Sequence, residues 1–219
     1  RAQTFPDRTI RLVVPFPAGG PTDSFARIYA AALSQHLGQS VVVDNKAGAG
    51  GAIGAQEVKR SAADGYTLLF GTASTHGLYN LIQPAPQYDA LEDFSYVAVL
   101  GGAPVVFVVN THMPRTLKTV VIASKAAPGK YNYGSPGTGT LLHVATERMK
   151  QVTGASIAHV PYKGAAPAMQ DLIGGSIEMT VDTLGSALPQ HKAGRVRILA
   201  VASAKRVSIA PDVPTVSES

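Results

Sequence analysis

The sequence predicts an α/β fold divided into two lobes. Apolar strand-like runs alternate repeatedly with small-residue turns and helical patterns, which is the order of βαβ units in mostly parallel sheets. Two long strand-like runs, residues 94–110 and 195–206, do not fit this alternation of strands and helices. The first of them contains a Gly-Gly-Ala-Pro interruption. A strand interrupted by Gly and Pro can leave one sheet and enter another. These runs therefore predict two lobes with a ligand cleft between them, and the alternative is one continuous sheet with a bulge.

The first strand–turn–helix units follow one another from the N-terminal end. A strand at 9–16 leads through a Pro/Gly turn into a helix at 23–37, and a strand at 40–45 leads through a Gly-rich turn into a helix at 52–62. A third strand begins at residue 66 and continues into a short, Pro-interrupted segment. The helical spacing of the first helix predicts one apolar face. That face consists of Phe25, Ile28, Tyr29, Ala32, Leu33 and Leu37.

The same order returns in the second half of the chain. A strand and turn at 130–139 precede a helix at 140–153, and a strand at 157–164 precedes a helix at 165–175. Gly174 is predicted to cap the last of these helices, because glycine adopts the left-handed conformation found there. Four such segments again indicate βαβ architecture.

The two interrupted runs define the predicted lobe boundaries. The first lobe is predicted to comprise residues 1–103 and 197–219, and the second to comprise residues 104–196. The strands near 98–107 and 196–203 are predicted to cross between the lobes and to carry the hinge.

Composition narrows the possible functions. The charge of +5 comes from scattered Lys and Arg, aromatic residues make up only 6% and Trp is absent, so no nucleic-acid partner is expected. The chain has no Cys, and its His residues are not spaced as metal ligands. Neither a metal nor a cofactor is therefore expected. The chain opens without an apolar leader, which predicts either a cytosolic protein or a signal peptide already removed.

Several Gly-rich turns precede helices, but none completes a nucleotide-binding motif. The turn at 17–22 lacks the Lys and Ser/Thr of a P-loop, and the turns at 48–53 and 137–142 lack the third glycine of a dinucleotide fingerprint. The nucleophile motif G-x-S-x-G is also absent. The sequence therefore predicts a protein that is not an enzyme, with a hydrolase or transferase as the alternative.

Candidate ligand contacts lie at the predicted carboxyl ends of the strands, where open α/β sheets bind ligands. Exposed amides and helix N-termini there favour an anion, either a carboxylate or a phosphate. The candidates at these ends are Ala18, Gly19, Gly20, Thr22, Thr72, Ser74, Thr75, Ser135, Gly137, Thr138 and Gly139. Asp23 is interpreted as a helix cap rather than a ligand contact. Asp182 can be either a cap or a cleft residue.

Six segments in order resemble a known family. They are RLVVPFPAGGPTD, VVVDNKAGAGGAIGA, YTLLFGTAST, YNYGSPGTGTLLH, VPYKGAAPAMQDLIGGSIEMTVD and RILAVASAKR…PDVPTVSES. Over nearly the whole chain they resemble the Bug family, the extracytoplasmic solute receptors of tripartite tricarboxylate transporters. The resemblance implies a two-lobed type II periplasmic binding-protein fold and export to the periplasm with removal of a signal peptide. It also implies capture of a small carboxylic acid in the cleft and two integral-membrane transporter subunits as partners. We expect a monomer.

The resemblance also assigns roles to particular residues. It implies a carboxylate-binding turn at Phe16 to Gly20, a hydroxyl loop at Thr72 to His76, a contribution of the second lobe at Ser135 to Gly139, and Asp182 at a fourth strand end. Family members normally continue past the PDVPTVSES segment, so a C-terminal part is expected to be missing.

The far end of the cleft is expected to select the acid. The residues predicted there are Phe16, His76, Ser135, Thr138 and Asp182. Because the lysines are scattered, no second anion clamp is evident, which favours a monocarboxylate or dicarboxylate over citrate. A ligand-sensing input to a signalling system is a further alternative.

Overall fold

The computed structural model describes residues 5–219, which form two compact units. The first unit runs to Val97 and includes Gly139–Leu141, and the second comprises Ala98–Thr138 and Leu142–Ser219. Both units combine helices with a β-sheet. The predicted α/β class is confirmed.

The first unit contains a three-stranded parallel sheet in the order β2-β1-β3. Its strands are β1 (Ile10–Val14), β2 (Val41–Asn45) and β3 (Thr67–Leu69). Since all three strands run in the same direction, their carboxyl ends lie at one edge of the sheet. The turns that follow them therefore share that edge.

Three helices belong to the first unit. They are α1 (Pro21–Leu37), α2 (Ala52–Lys59) and the short α3 (Tyr79–Ile82). The α1 helix connects β1 to β2, and α2 connects β2 to β3. A π-helical turn at Ala73–Leu78 leads directly into α3.

The predicted apolar face of α1 is wrong in part. Phe25 and Ile28 are 42% and 66% exposed, whereas Ala26 and Ala30 are buried with the sheet residues. Leu33 packs partly buried against the same cluster. The small alanine side chains let the helix backbone approach the sheet, which leaves the bulkier residues of the adjoining face in solvent.

The second unit contains a five-stranded sheet in the order β6-β5-β7-β4-β8. Its strands are β4 (Val105–Asn110), β5 (Tyr131–Ser135), β6 (Ile157–Pro161), β7 (Met179–Thr183) and β8 (Val196–Val201). The β5 strand is parallel to β6 and β7, while β4 is antiparallel to β7 and β8. This sheet is mixed rather than wholly parallel.

Helices cover both faces of the second sheet. They are α4 (Leu117–Ala126), α5 (Leu141–Thr153), α6 (Ala165–Gly174) and α7 (Leu184–Lys192). Phe107 of β4 packs in one core with residues of α4 and α5, and its neighbour Val106 packs in another with residues of α6 and α7. Successive strand residues point to opposite faces. The apolar character of β4 follows from this burial on both sides.

The observed unit boundaries differ from the predicted lobe boundaries. Residues 197–219 cluster with the second unit, because β8 pairs with β4 and the Val201 amide donates to the Pro214 carbonyl at 2.9 Å. The run at 94–110 becomes strand only from Val105, and residues 94–104 form neither helix nor strand.

The predicted C-terminal cap of α6 is shifted by one residue. The helix α6 ends with Gly175 in the left-handed conformation, at φ 80°, and not with Gly174.

Within residues 5–219, no helix combines the length and apolar character needed to cross a membrane.

Candidate functional site

Three turns meet at the carboxyl edge of the first sheet. They follow β1, β2 and β3, and Gly51 lies between them with φ 100°. A Cβ at Gly51 would lie 2.6 Å from Thr75 Cγ2 and 3.3 Å from Phe16 Cζ. Only glycine combines this backbone conformation with so close an approach. The lack of a side chain at Gly51 therefore allows the turn after β1 and the turn after β3 to lie side by side.

The turn after β1 is organised by the carboxylate of Asp23, whose exposed fraction is only 2%. Its Oδ2 accepts from the Gly19 amide and from Arg27 Nε, both at 2.9 Å. Its Oδ1 accepts from Asn45 Nδ2 at 2.9 Å, and the same amide group donates to the Phe16 carbonyl. Burial opposes ionisation, but these hydrogen bonds outweigh it and hold the pKa of Asp23 below its ordinary value. The predicted helix cap at Asp23 is wrong, because α1 begins at Pro21 and its N-cap is Gly20 without a side-chain cap. Asp23 lies within the first helical turn and holds the turn that precedes it.

These bonds limit which groups of the turn can bind a ligand. The Gly19 amide is engaged with Asp23. Gly20 is the N-cap of α1 and no side chain caps the helix there. First-turn amides such as that of Thr22 have no acceptor within a helix, and Ala18 is exposed beside them. The anion-binding capacity of this turn therefore rests on the start of α1.

The turn after β3 is held by its own hydroxyl groups. The Thr72 amide donates to Thr75 Oγ1 at 2.9 Å, and the Thr75 amide donates to Thr72 Oγ1 at 3.4 Å. Ser74 Oγ accepts from the amide of Leu141 at 3.0 Å. Leu141 and Gly139 belong to the segment that clusters with the first unit. This turn brings the predicted residues Thr72, Ser74, Thr75 and Gly139 into one unit.

His76 continues this turn and is half-buried among aromatic rings. Thr75 Oγ1 lies 2.8 Å from His76 Nδ1. The imidazole meets the Phe94 and Tyr96 rings edge-on, with centroids 4.8 Å and 5.7 Å away. Burial lowers the pKa of His76, so the neutral ring is favoured.

Replacing Tyr88 by phenylalanine is expected to lower the free energy of unfolding by about 1 kcal/mol. The buried Tyr88 hydroxyl donates to the Thr75 carbonyl at 2.8 Å, and the substitution removes only this hydroxyl. Urea unfolding followed by circular dichroism measures the change. An unchanged unfolding free energy would mean that the bond does not support the turn.

In the second unit, Ser135 closes β5 and is fully buried. Its Oγ lies 2.6 Å from His159 Nε2 and accepts from the Gly137 amide at 3.2 Å. The His159 ring stacks on Tyr133 and lies 4.2 Å from the ring of His143. A serine beside a histidine is typical of a nucleophile. Because Ser135 is completely buried and bonded to Gly137, we interpret this pair as one that stabilises the turn. Gly137 is buried and Thr138 is exposed.

Helix α5 supplies charged groups beside this histidine pair. Glu147 accepts from the Tyr133 hydroxyl at 2.5 Å and from Lys150 Nζ at 2.7 Å. Burial lowers the pKa of His143, and burial together with the charge of His143 lowers that of His159. Spacing along the chain does not predict this cluster, because its members come from three elements that only the fold brings together.

Asp182 lies at the end of β7 and is 1% exposed. It accepts from the Thr183 amide at 2.7 Å and from Ser186 Oγ at 2.9 Å. Burial raises the pKa of Asp182 to about 6. Both partners lie at the start of α7, whose N-cap is Thr183 with no side-chain cap, so Asp182 stabilises the junction between β7 and α7 without capping the helix.

Among the described residues, no group of three or more His, Asp or Glu side chains is placed to hold a metal ion.

Comparison with known proteins gives a consistent result. The family described as "Tripartite tricarboxylate transporter family receptor" matches residues 25–219. The chain is 40% identical to Protein BugT of Bordetella pertussis over 99% of its own length and 67% of that protein. It is 38% identical to a UPF0065 protein of Pseudomonas sp. (strain P51) over 100% of its length and 65% of that protein. The chain thus spans about two thirds of these curated relatives.

Solved structures also match over 98% of this chain and 72–73% of theirs. A periplasmic transporter superimposes with a TM-score of 0.94 at 44% identity. Rpa4515 of R. palustris with adipate gives 0.94 at 39% identity. MatC (Rpa3494) of Rhodopseudomonas palustris with bound malate gives 0.93 at 32% identity.

Proposed function

The chain belongs to the tripartite tricarboxylate transporter family of receptors, and from this premise we propose that it captures a small carboxylic acid for delivery to membrane subunits of such a transporter. The resemblance predicted from the sequence is confirmed. Its solved neighbours include the periplasmic binding protein BugD, and we propose that this chain is likewise a receptor and not an enzyme. We propose the periplasm as its location.

The proposal rests on two predicted binding segments, the turn before α1 and the loop of Thr72 to His76, which lie at the same edge of the first sheet. Gly51 allows the turn that begins α1 to lie beside the hydroxyl loop of Thr72 and Thr75. The first-turn amides of α1 and the Thr72 hydroxyl can donate hydrogen bonds to an anion, and the helix dipole adds a favourable partial charge. A carboxylate matches such a set of donors. The similar structures that contain adipate and malate support an acid of this size.

The second unit is proposed to contact the remainder of the ligand through Thr138, which is the exposed residue of its predicted set. Ser135 and Gly137 are buried in the turn that presents Thr138, so their role in this proposal is support. The contacts of Asp182 at the start of α7 give it a similar supporting role. Enclosure of the ligand between two lobes stays a prediction.

Adipate or malate is expected to raise the melting temperature of the protein, whereas adipamide is not. A ligand that binds only the native state stabilises it by RT ln(1 + [L]/Kd), which is about 2.7 kcal/mol at one hundred times Kd. A thermal-shift titration of the three compounds measures the effect. Equal stabilisation by the amide would exclude a carboxylate anchor.

A further inference from the structure

The contacts of the Thr75 hydroxyl determine where its proton lies. Thr75 Oγ1 makes three close contacts, 3.1 Å from the Thr72 carbonyl oxygen, 2.9 Å from the Thr72 amide and 2.8 Å from His76 Nδ1. The Thr72 hydroxyl oxygen is farther away, at 3.4 Å, and can be either donor or acceptor. A hydroxyl donates one hydrogen bond and accepts two. The carbonyl can only accept and the amide can only donate. All three contacts are satisfied only when Thr75 donates to the carbonyl and accepts from a proton on Nδ1.

From this geometry we propose that Thr75 holds His76 in the neutral tautomer protonated at Nδ1, and that the lone pair on Nε2 makes His76 a specificity-determining residue. The inference rests on the proposed function and deepens it. An acceptor at Nε2 favours an acid that carries a hydroxyl or ammonium donor beyond its anchored carboxylate. It disfavours an acid with a carboxylate at the same place, because two acceptors face each other there.

The His76 ring is held with its Nδ1 edge towards Thr75. A Cβ on Gly71 would lie 2.9 Å from His76 Nδ1, so the glycine provides the space for this edge of the ring. The Phe94 and Tyr96 rings bound the imidazole edge-on. Rotating the ring by half a turn would replace Nδ1 with a carbon and leave Thr75 without its donor. Thr75 is thus a positioning residue that acts through His76.

His76 directly follows a residue of the proposed anchor. Its neighbour Thr75 contacts the position of Gly51, which in turn adjoins Phe16. The groups packed around the imidazole are the Thr75 hydroxyl and the rings of Tyr88, Phe94 and Tyr96. These neighbours carry no formal charge, and burial lowers the pKa of the ring. The neutral form is therefore favoured at pH 7.

The tautomer can be measured directly without any ligand. Long-range nitrogen–proton NMR of the histidine-labelled protein at pH 7 is expected to show His76 protonated at Nδ1 and unprotonated at Nε2. The spectrum of His76→Asn assigns the signals. Thr75→Ser retains the acceptor and should keep the tautomer, whereas Thr75→Val removes it and should shift the population. A wild-type His76 protonated at Nε2 would overturn the inference and leave the proposed function standing.

The selectivity is tested with malate and succinate, which differ by one hydroxyl group. Calorimetry is expected to show that wild type prefers malate and that His76→Phe reduces this preference by roughly tenfold, the loss expected for one hydrogen bond. His36→Phe, at an exposed histidine of α1, is the matched control and should retain the preference. An unchanged ratio in His76→Phe would overturn the specificity role. If wild type binds neither these acids nor adipate, the proposed function fails first and the specificity role falls with it.

Discussion

Replacement of Asp23 by alanine is expected to lower the free energy of unfolding by about 3 kcal/mol and to abolish acid binding. The substitution removes the buried acceptor of the Gly19 amide, the half-buried Asn45 side chain and Arg27. Each of these three hydrogen bonds contributes about 1 kcal/mol. Asn45 also holds the Phe16 carbonyl, so loosening Asn45 releases the whole turn before α1. Urea unfolding and calorimetry with adipate measure the two effects.

Two further variants test whether the loss of stability comes from the hydrogen bonds of Asp23 or only from removing a charge. Asp64→Ala removes an exposed carboxylate that pairs with Arg8 and should cost less than about 0.5 kcal/mol. Arg27→Ala removes the exposed partner of Asp23 but leaves the Gly19 amide and Asn45 bonded to the carboxylate, so an intermediate loss is expected. If Asp23→Ala is no more destabilised than Asp64→Ala, the carboxylate does not organise the turn.

The pH dependence of this contribution has a definite sign. The folded-state pKa of Asp23 lies below its ordinary value of 3.8, so its carboxylate stabilises the native state above that pH. The contribution is lost as the pH falls through the folded-state pKa. Asp23→Ala should therefore approach wild type in stability under strongly acidic conditions.

Local sequence patterns predict the strands and helices that position the site, because each element has its own periodicity of apolar residues or is bounded by a turn residue. β1, β2 and the helix α1 lie within two residues of their predicted bounds. The structural role of Asp23 also follows from its place at a helix start, although the N-cap is Gly20 and not Asp23. Such features depend on neighbours in sequence and can be predicted from a single chain.

Features that depend on distant partners could not be predicted in this way. The face of α1 that packs on the sheet is chosen by the fit of Ala26 and Ala30, not by the bulkier Phe25. The pairing of β8 with β4 places residues 197–219 in the second unit. His143 and His159 are remote in sequence, and only the packing of α5 on the sheet brings their rings to 4.2 Å.

The same limit applies to the candidate site. Sequence position suggested His76 as a ligand contact, but its tautomer depends on how Thr75 shares its hydroxyl with Thr72. Ser135 was grouped with the exposed Thr138, yet its hydroxyl is buried against His159. A residue type can be placed near a strand end by pattern, whereas its hydrogen-bond partners require the fold.

Asp182→Asn is expected to change the pH dependence of stability by about 2 kcal/mol between pH 4 and pH 7. Burial raises the pKa of Asp182 from its ordinary value of 3.8 to about 6 in the folded protein. The native state therefore binds more protons than the unfolded state across this interval, so this group lowers stability as the pH rises. Each unit of pKa corresponds to about 1.4 kcal/mol. An asparagine removes the titration and with it this decline.

The measurement is the unfolding free energy of both proteins in urea at a series of pH values from 4 to 7.5. The stability of Asp182→Asn relative to wild type should rise with pH and level off above pH 7. A difference in unfolding free energy that does not vary with pH is due to the altered bonds to Thr183 and Ser186. The other titrating groups are the same in both proteins, so their contributions cancel in this difference. Asp212→Asn changes an exposed carboxylate and is the matched control, for which a flat difference is expected. Parallel curves for Asp182→Asn and wild type would mean that this carboxyl ionises in the native protein as readily as in the unfolded chain.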